Sequence, residues 1–223
     1  MTRNVLVLKE VTEANSVLAD ALRVSFARQA ALVLNLIASP GAGKTSLLER
    51  TIEQLSGRLR LSVIEGDPTT SLDAERVAAG GVPVVQINTG NGCHLEARMI
   101  QNAVDQLGLE TADVFIIENV GNLLCPTDWD LGEDVKVVVA SLPEGDDKPL
   151  KYPMAFHTAR ALVINKIDLE PYIPAKVANL RANALTINPD LTVFEMSCLT
   201  GQGVREWAAW IEQQLQLKRT RCE

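Results

Sequence analysis

Seven runs of mostly aliphatic residues recur along the chain, and segments with helical spacing separate most of them. The runs are Ala31–Ile37, Arg60–Glu65, Val82–Ile87, Val114–Glu118, Val135–Ala140, Ala161–Asn165 and Leu191–Met196. Because they are nearly continuous rather than alternating, they predict strands that are buried on both faces. Strands that alternate with helices predict a parallel sheet with right-handed crossovers. The expected fold class is therefore α/β, with a mostly parallel central sheet flanked by helices.

Both ends of the chain carry helical patterns. Residues 11–30 have a diffuse apolar face, which predicts an N-terminal helical extension over residues 1–30; its apolar positions are Val17, Leu18, Leu22, Val24, Phe26 and Ala30. Near the other end, one helix face carries Val204, Trp207, Ala208, Ile211 and Leu215. No repeat, low-complexity tract or linker divides the sequence, so we expect residues 1–223 to form one domain. Its ligands should lie at the carboxyl ends of the strands.

The composition argues against several classes of protein. Hydrophobic residues make up 47% of the chain and aromatic residues 4%, so the core should be aliphatic. A net charge of −7 without a basic cluster argues against a nucleic-acid-binding surface. The apolar runs are too short to span a bilayer, no signal peptide is evident, and the four cysteines are too scattered for a disulfide scaffold. We therefore expect a cytoplasmic protein that binds neither membrane nor nucleic acid.

Residues 38–45, ASPGAGKT, have the pattern of a phosphate-binding loop between a strand and a helix. The glycines let backbone N–H groups point at phosphate oxygens, the lysine reaches the β- and γ-phosphates, and the threonine hydroxyl binds Mg²⁺. The usual motif begins with glycine where this chain has Ala38, a small residue that still fits. A glycine-rich turn with a chance Gly-Lys-Thr is the alternative. The pattern predicts a P-loop NTPase whose nucleotide contacts come from Gly41, Ala42, Gly43, Lys44, Thr45 and Ser46.

A second motif predicts guanine as the base. Asn165-Lys166-Ile167-Asp168 follows a strand-like run, and the Asp168 carboxylate can accept hydrogen bonds from guanine N1–H and the exocyclic amine. Lys166 would lie along the purine, and Asn165 would hold the loop. After the last strand-like run, the candidate N–H donors to guanine O6 are Ser197, Cys198 and Leu199. An ordinary strand-to-helix turn explains those three residues equally well.

Two acidic residues at strand ends are candidates for holding Mg²⁺. Asp67 comes two residues after the second run, in Glu65-Gly66-Asp67, and Glu118 ends the fourth run, which is where phosphate-loop enzymes place such carboxylates. Either residue could instead cap the following segment or be solvated. The expected magnesium ligands are Thr45, Asp67 and Glu118, and the candidate catalytic residues are Lys44, Asp67 and Glu118.

Two cysteines and a histidine follow strands at the same expected edge of the sheet. Cys93 and His94 follow a glycine-rich loop, and Cys125 lies shortly after Glu118. Thiolates and an imidazole suit a soft metal ion such as Ni²⁺ or Zn²⁺, and coordination geometry chooses between the two. Cysteine is also often a small buried residue, and a lone histidine is more often packed than ligating. Spacing alone leaves both interpretations open.

The motifs together resemble the hydrogenase nickel-incorporation GTPases of the HypB family, which are SIMIBI-class P-loop GTPases, over essentially the whole chain. The motifs are SPGAGKTS at 39–46, EGDPTTSLDAERV at 65–77, TGNGCHLEA at 89–97, IIENVGNLLCP at 116–126, SLPEGDDKPLKYP at 141–153 and NKIDL at 165–169. Urease accessory GTPases share the phosphate loop but pair a different switch sequence with a Cys-Pro-His arrangement. The segment Glu118–Leu123 matches the hydrogenase type.

The resemblance implies slow GTP hydrolysis coupled to delivery of Ni²⁺ to the large-subunit precursor of a [NiFe] hydrogenase. It implies that Cys93, His94 and Cys125 bind the metal at or near a homodimer interface. It also implies a partnership with the small zinc-containing, nickel-binding maturation protein of the same pathway. Some family members store nickel through an N-terminal cysteine motif or histidine-rich tract. Residues 1–30 contain neither cysteine nor histidine, so storage is not expected.

Other functions remain open on the sequence. The chain could be a metal-dependent dimeric scaffold in which GTP is a structural ligand, or an accessory GTPase of another metalloenzyme such as urease. No residue clearly matches a water-positioning glutamine or an arginine finger, so hydrolysis should be slow. We expect GTP to favour the dimer through a face that includes Leu150 and Met154, although both residues could equally be core. Lys148 would then reach the nucleotide or the partner's loop.

Overall fold

The computed structural model describes residues 9–67, 72–90 and 92–222. Within them, seven strands form one sheet in the order β3-β2-β4-β1-β5-β6-β7, and every neighbouring pair is parallel. The strands are β1 (Leu32–Ala38), β2 (Leu61–Asp67), β3 (Val84–Asn88), β4 (Val114–Gly121), β5 (Val135–Ser141), β6 (Ala161–Asn165) and β7 (Thr192–Glu195). All seven apolar runs are therefore strands, and the predicted α/β class is confirmed.

Helices connect the strands and cover both faces of the sheet. They are α1 (Lys9–Arg28), α2 (Lys44–Leu55), α3 (Leu72–Ala78), α4 (Ala97–Leu107), α5 (Lys148–Lys151), α6 (Pro153–Thr158), α7 (Val177–Ile187) and α8 (Val204–Cys222). Short 3₁₀ turns lie at Leu109–Thr111, Cys125–Thr127, Leu142–Glu144 and Ile167–Tyr172. The central strands are buried along nearly their whole length, whereas the edge strands β3 and β7 are partly exposed.

The core lies in layers on the two faces of the sheet. On one face α2 and α8 pack on β1, and Trp207 donates its Nε1–H to Thr51 Oγ1 at 2.9 Å. On the other face α1 and α4 pack on β1 and β4, where Phe26 and Phe115 are in contact. A third cluster joins α6 and α7 to β5 and β6. The predicted apolar face of α8 is confirmed, because all five of its predicted positions are buried.

The N-terminal helix differs from its predicted pattern. It ends at Arg28, and Ala30 adopts a left-handed conformation (φ 48°) that stops it. Leu22 and Phe26 are buried, but Val17 and Val24 are 70% and 52% exposed, so the buried face is narrower than the spacing of apolar residues indicated. Residues 1–8 of the predicted extension lie outside the described residues.

Two other apolar residues are also exposed. Leu150 and Met154 are 56% and 55% exposed, so the interpretation of these residues as core is wrong. They do not share one helix, because the chain leaves helical geometry at Tyr152, between α5 and α6. Among the helices that the structure describes, none combines the length and the apolar character needed to cross a membrane.

Candidate functional site

The phosphate loop connects β1 to α2 at the carboxyl edge of the sheet. Gly41 and Gly43 have φ values of 76° and 98°, which side chains with a Cβ rarely adopt. A Cβ on Gly43 would also collide with the side-chain amide of Asn165. The motif therefore needs glycine at Gly43 for two reasons, the left-handed backbone and the close approach of the loop that carries Asn165.

A cavity of about 580 Å³ opens above this loop. Lys44 and Thr45, the first residues of α2, line it and are only 8% exposed. Backbone N–H groups at a helix N-terminus favour anions, and the buried lysine adds a positive charge. The cavity therefore has the charge and the donors that a polyphosphate needs.

Carboxylates from two adjacent strands line the same cavity. Thr45 Oγ1 donates to Glu118 Oε1 at 3.1 Å, whereas Glu118 Oε2 and Glu65 Oε2 are buried without a hydrogen-bond partner among the described residues. Burial is the largest cause that raises the pKa of each carboxyl group to about 7, and the positive charge of Lys44 opposes it. Orphaned carboxylate oxygens of this kind are costly unless a proton or a cation satisfies them. Hard oxygen donors beside a phosphate cavity fit Mg²⁺.

Asp67 belongs to a cluster that the sequence showed only in part. One carboxylate oxygen each from Glu65, Asp67 and Asp73 lies within 4.8 Å of the others. Glu65 is two residues before Asp67 on β2, so the two side chains share a face, and it stands opposite Glu118 in the register of β2 and β4. This period-two spacing could have identified Glu65 in advance. Asp73 gave no such signal, because packing of α3 brings it to the strand ends.

A second cavity, of about 930 Å³, continues from the first past Gly43 and Lys166. Asn165 joins the three loops around this cavity by hydrogen bonds. Its Nδ2 donates to Ala42 O at 3.0 Å, and its Oδ1 accepts from Lys166 N–H and Cys198 N–H. Lys166 Nζ donates to Gly41 O at 2.7 Å. Asp168 also lines this cavity, and its Oδ1 is buried with no hydrogen-bond partner in the described structure. The predicted base-binding residues therefore surround one cavity with an acceptor available.

In the loop after β7, two of the three N–H groups that we expected to face guanine O6 are bonded within the protein. Ser197 N–H donates to Gln202 O at 3.0 Å and Cys198 N–H donates to Asn165 Oδ1 at 3.2 Å, so both are engaged within the protein. Cys198 and Leu199 nevertheless line the larger cavity. Contact of these three N–H groups with guanine O6 stays a prediction.

The two cysteines and the histidine, which are far apart in sequence, lie together in space. The Sγ atoms of Cys93 and Cys125 are 2.7 Å apart, His94 Nδ1 is 3.6 Å from Cys93 Sγ, and both cysteines are free. A hydrogen bond with Cys125 and, to a lesser degree, burial raise the pKa of Cys93. Two sulfur donors and one imidazole within 4.8 Å of one another form a soft-metal ligand set with three members.

Packing fixes the loop that carries His94. The imidazole stacks on Trp129 with ring centroids 4.2 Å apart, and burial lowers its pKa against the opposing charge of Glu96. The Leu95 side chain covers Gly66, where an added Cβ would lie within 2.8–2.9 Å of it, so the loop after β3 crosses the end of β2. Sequence patterns did not identify Trp129, because Trp129 is far from His94 along the chain and no local pattern indicates their contact.

A parallel sheet with a phosphate loop after β1 and carboxylates at the ends of β2 and β4 defines a P-loop nucleotide-binding protein. A family model of the CobW/HypB/UreG nucleotide-binding domain matches residues 32–195. The chain is 52% identical to hydrogenase maturation factor HypB of Azotobacter vinelandii over 192 residues, 86% of this chain and 63% of that protein. It is 48% identical to HypB of Rhizobium leguminosarum bv. viciae over 210 residues, 94% of this chain and 70% of that protein.

A solved structure agrees with these matches. The crystal structure of HypB from Helicobacter pylori in complex with nickel superposes with a TM-score of 0.87 at 36% identity, and the match covers 94% of this chain and 97% of that chain. The chain therefore belongs to the CobW/HypB/UreG family and, within it, to the HypB hydrogenase maturation factors. It spans less than two thirds of the A. vinelandii relative.

Proposed function

We propose that this protein binds and slowly hydrolyses GTP and delivers nickel during maturation of a [NiFe] hydrogenase. One observation carries the proposal: Glu118 lines the phosphate cavity, and the same stretch of chain continues through residues 119–124 to Cys125 in the three-ligand cluster. A displacement at the phosphates can therefore reach the metal ligands through a short length of backbone.

The nucleotide roles follow from the chemistry of each group. Lys44 neutralises the β- and γ-phosphates, and Asp168 accepts the two donors of guanine. Thr45, Asp67 and Glu118 would hold Mg²⁺, with Glu65 and Asp73 beside them, and the ion would offset charge on the phosphates. Among the described residues that line the phosphate cavity there is no glutamine, and Arg76 already donates to Glu49 and Asp73. Slow turnover is expected for this reason.

Nickel is the cargo of the Cys93, His94 and Cys125 cluster. Three protein ligands leave a coordination position for water or for a ligand from the recipient, whereas a closed four-ligand cage would retain the ion. Zn²⁺ can occupy the same ligands, since sulfur and imidazole donors do not select between the two ions. Family membership and the nickel named in the H. pylori structure favour Ni²⁺ as the physiological ion.

The proposed partners follow from membership of the HypB group. They are a second copy of the chain, the small nickel-binding maturation protein and the hydrogenase large-subunit precursor, all in the cytoplasm. The relatives are named hydrogenase maturation factors, which supports this client over urease.

Nickel transfer under defined nucleotide states tests the proposal. Nickel-loaded protein is mixed with the large-subunit precursor and GTP, a non-hydrolysable GTP analogue, or GDP, and nickel in the precursor is measured. We expect transfer to differ between GTP and the analogue, and Lys44→Ala to remove this difference by abolishing tight triphosphate binding. Equal transfer in every state would support the metal-dependent scaffold instead.

A further inference from the structure

A buried chain of polar side chains runs beneath the loops of the proposed nickel site. It begins at Asn119, whose Oδ1 accepts from the Leu95 N–H at 3.3 Å and from Val120 N–H at 3.0 Å. Asn119 Nδ2 donates to Asn35 Oδ1 at 3.2 Å, and both asparagines are 0% exposed. Asn119 therefore holds the backbone of Leu95, the residue that directly follows His94.

The chain continues from β1 to the loop of Cys125. Asn35 Nδ2 donates to Glu133 Oε1 at 3.0 Å, and Lys136 Nζ lies 3.7 Å from the same oxygen. Lys136 Nζ donates to Thr127 O at 3.0 Å and to Pro126 O at 3.3 Å. The Glu133 and Lys136 side chains are only 7% and 11% exposed. The far end of the network thus holds the two carbonyl groups that follow Cys125.

The place of Asn119 on β4 connects this network to the phosphate cavity. Successive side chains of a strand point to opposite faces of the sheet. Glu118 therefore meets Thr45 on the α2 face, while Asn119 meets Asn35 and Leu95 on the α1 and α4 face. Any shift of β4 that follows a change at Glu118 must move Asn119 as well, because the two residues are adjacent in one strand.

A second contact links Leu95 to the other acidic strand. Its side chain lies against Gly66, between Glu65 and Asp67 on β2, in a gap too narrow for a Cβ. Leu95 is thus held from β2 by close packing and from β4 by its N–H bond to Asn119. Buried polar groups that satisfy one another are directional, and breaking one contact leaves partners unsatisfied. Apolar side chains of the same volume at these positions would not fix the position of the loop that carries His94, because apolar packing is not directional.

We propose that Asn119, with Asn35, Glu133 and Lys136, is a positioning relay that transmits nucleotide state from Glu118 to both loops of the nickel site. The relay rests on the proposed function and assigns its coupling to particular side chains. None of the four residues contacts the metal ligands' donor atoms; they act through the backbone next to His94 and Cys125.

The test measures coupling rather than affinity alone. The Kd for Ni²⁺ is determined from thiolate-to-nickel absorption, with a saturating non-hydrolysable GTP analogue and with saturating GDP. For the unaltered chain we expect the two Kd values to differ by about fivefold or more, the usual range for coupled sites. In Asn119→Ala and in Lys136→Met the ratio should fall below about twofold, while both nucleotides still bind. Lys136→Arg, which keeps charged donors, should restore part of the ratio.

Trp207→Phe is the matched control. Trp207 Nε1–H donates to Thr51 Oγ1 at 2.9 Å in the core between α2 and α8, on the face of the sheet opposite Asn119. Its loss therefore costs stability without removing a contact of the network or of either loop. The control should keep the full Kd ratio at a similar loss of thermal stability. If Asn119→Ala fails to fold, Lys136→Met at the far end of the network decides the question.

The outcomes separate the relay from the proposed function. If the unaltered chain shows the ratio and both Asn119→Ala and Lys136→Met keep it, the relay is wrong and nickel delivery stands. A ratio near one in the unaltered chain also overturns the relay, because nothing is transmitted. Failure of the unaltered chain to bind GTP or Ni²⁺ overturns the proposed function itself.

Discussion

At the scale of single residues, the candidate site combines strained backbone with buried charge. Lys166 adopts φ 61°, unusual for a residue with a side chain, and its Nζ is tied to the phosphate loop. Such conformations persist where the surrounding contacts determine them, as they do next to Asn165. The carboxylate oxygens of Glu65, Glu118 and Asp168 that have no hydrogen-bond partner among the described residues lie in the same region. Strain and unsatisfied polarity thus coincide at the carboxyl edge of the sheet, where the proposed ligands bind.

Asp168→Asn should weaken GTP binding by about 1–3 kcal/mol, because the amide pairs poorly with the two donors of guanine. Isothermal titration calorimetry on both proteins measures the difference. Xanthosine triphosphate is the control: its O2 accepts where guanine donates, so the amide introduced at position 168 should bind it better than the carboxylate does. Equal GTP affinity in the two proteins would contradict the assignment of this loop to the base.

Single substitution of Cys93, His94 or Cys125 should lower Ni²⁺ affinity about tenfold or more, because one of three coordination bonds is lost. Absorption titration checks this, and the thiolate-to-nickel bands should disappear with either cysteine. Cys198 lies in the loop after β7 and Cys222 is exposed at the end of α8, so Cys198→Ser and Cys222→Ser should leave the bands intact. Loss of the bands in Cys198→Ser would show that the site is placed wrongly.

At the scale of elements, the carboxyl ends and the amino ends of the strands have different roles. The loops at the carboxyl ends of the strands carry the cavities and the cluster of Cys93, His94 and Cys125, whereas ion pairs join the amino ends. Asp113 precedes β4 and accepts from Arg60 at 3.0 Å and from Arg219 at 2.7 Å, which ties the starts of β2 and β4 to the end of α8. The hydrogen bond from Arg60 is the largest cause that lowers the pKa of Asp113.

Asp113→Asn should reduce the free energy of unfolding at pH 7 by about 1 kcal/mol, a modest value because the side chains of Arg60 and Arg219 are 63% and 39% exposed and solvent screens the ion pairs. The folded pKa is depressed, so the ionised carboxylate stabilises the fold above the ordinary pKa of 3.8 and this contribution is lost as pH falls through the lower folded value. Urea unfolding at pH 7 and pH 3 should therefore give a smaller difference between the two proteins at pH 3. Asp105→Asn, on the exposed side of α4, is the control and should change little at either pH. A difference that grows on acidification would contradict the ion-pair explanation.

At the scale of the whole molecule, an exposed apolar region offers a surface for association between two copies of the chain. Leu150 and Met154 lie beyond the carboxyl end of β5, near the edge that carries the cavities, and both are more than half exposed. Lys148 comes after β5 and before Leu150 in the sequence. Its Nζ donates to Glu144 Oε1 at 2.8 Å and lies over the Tyr152 ring. A partner that covers this region would bury apolar surface and could draw Lys148 toward the nucleotide. We therefore keep the proposal of a GTP-favoured dimer through this face.

The dimer should form with a non-hydrolysable GTP analogue and weaken with GDP or without nucleotide, as measured by sedimentation. Leu150→Ala/Met154→Ala should shift the analogue-bound protein to monomer, because the apolar contact area is reduced. Leu217→Ala removes a 41% exposed leucine on α8 and should not change the assembly. A monomer in all three nucleotide states, or a dimer unaffected by the double substitution, would refute this coupling without touching GTP or metal binding.

The sequence by itself determined the strands and the phosphate loop of this protein, and it marked the motif that we propose recognises the base. Central strands are buried on both faces, so continuous apolar runs such as Val135–Ala140 mark them directly. Glycines at Gly41 and Gly43, and Asn165 followed by Asp168, occur at fixed local spacings that follow from the geometry of one loop. Family motifs added the expectation that Cys93, His94 and Cys125 act together, which their spacing alone left open.

Tertiary structure decided what lies between elements. Three contacts join different elements of the fold: the stacking of His94 on Trp129, the approach of Asp73 to Glu65, and the hydrogen bond that joins Asn119 to Asn35. Local patterns report on neighbours in sequence, whereas the carboxyl edge of a parallel sheet gathers loops from strands whose spatial order differs from their order in the chain. The exposure of Leu150 and Met154 has the same origin, because burial depends on which element packs over a residue and not on its own hydrophobicity.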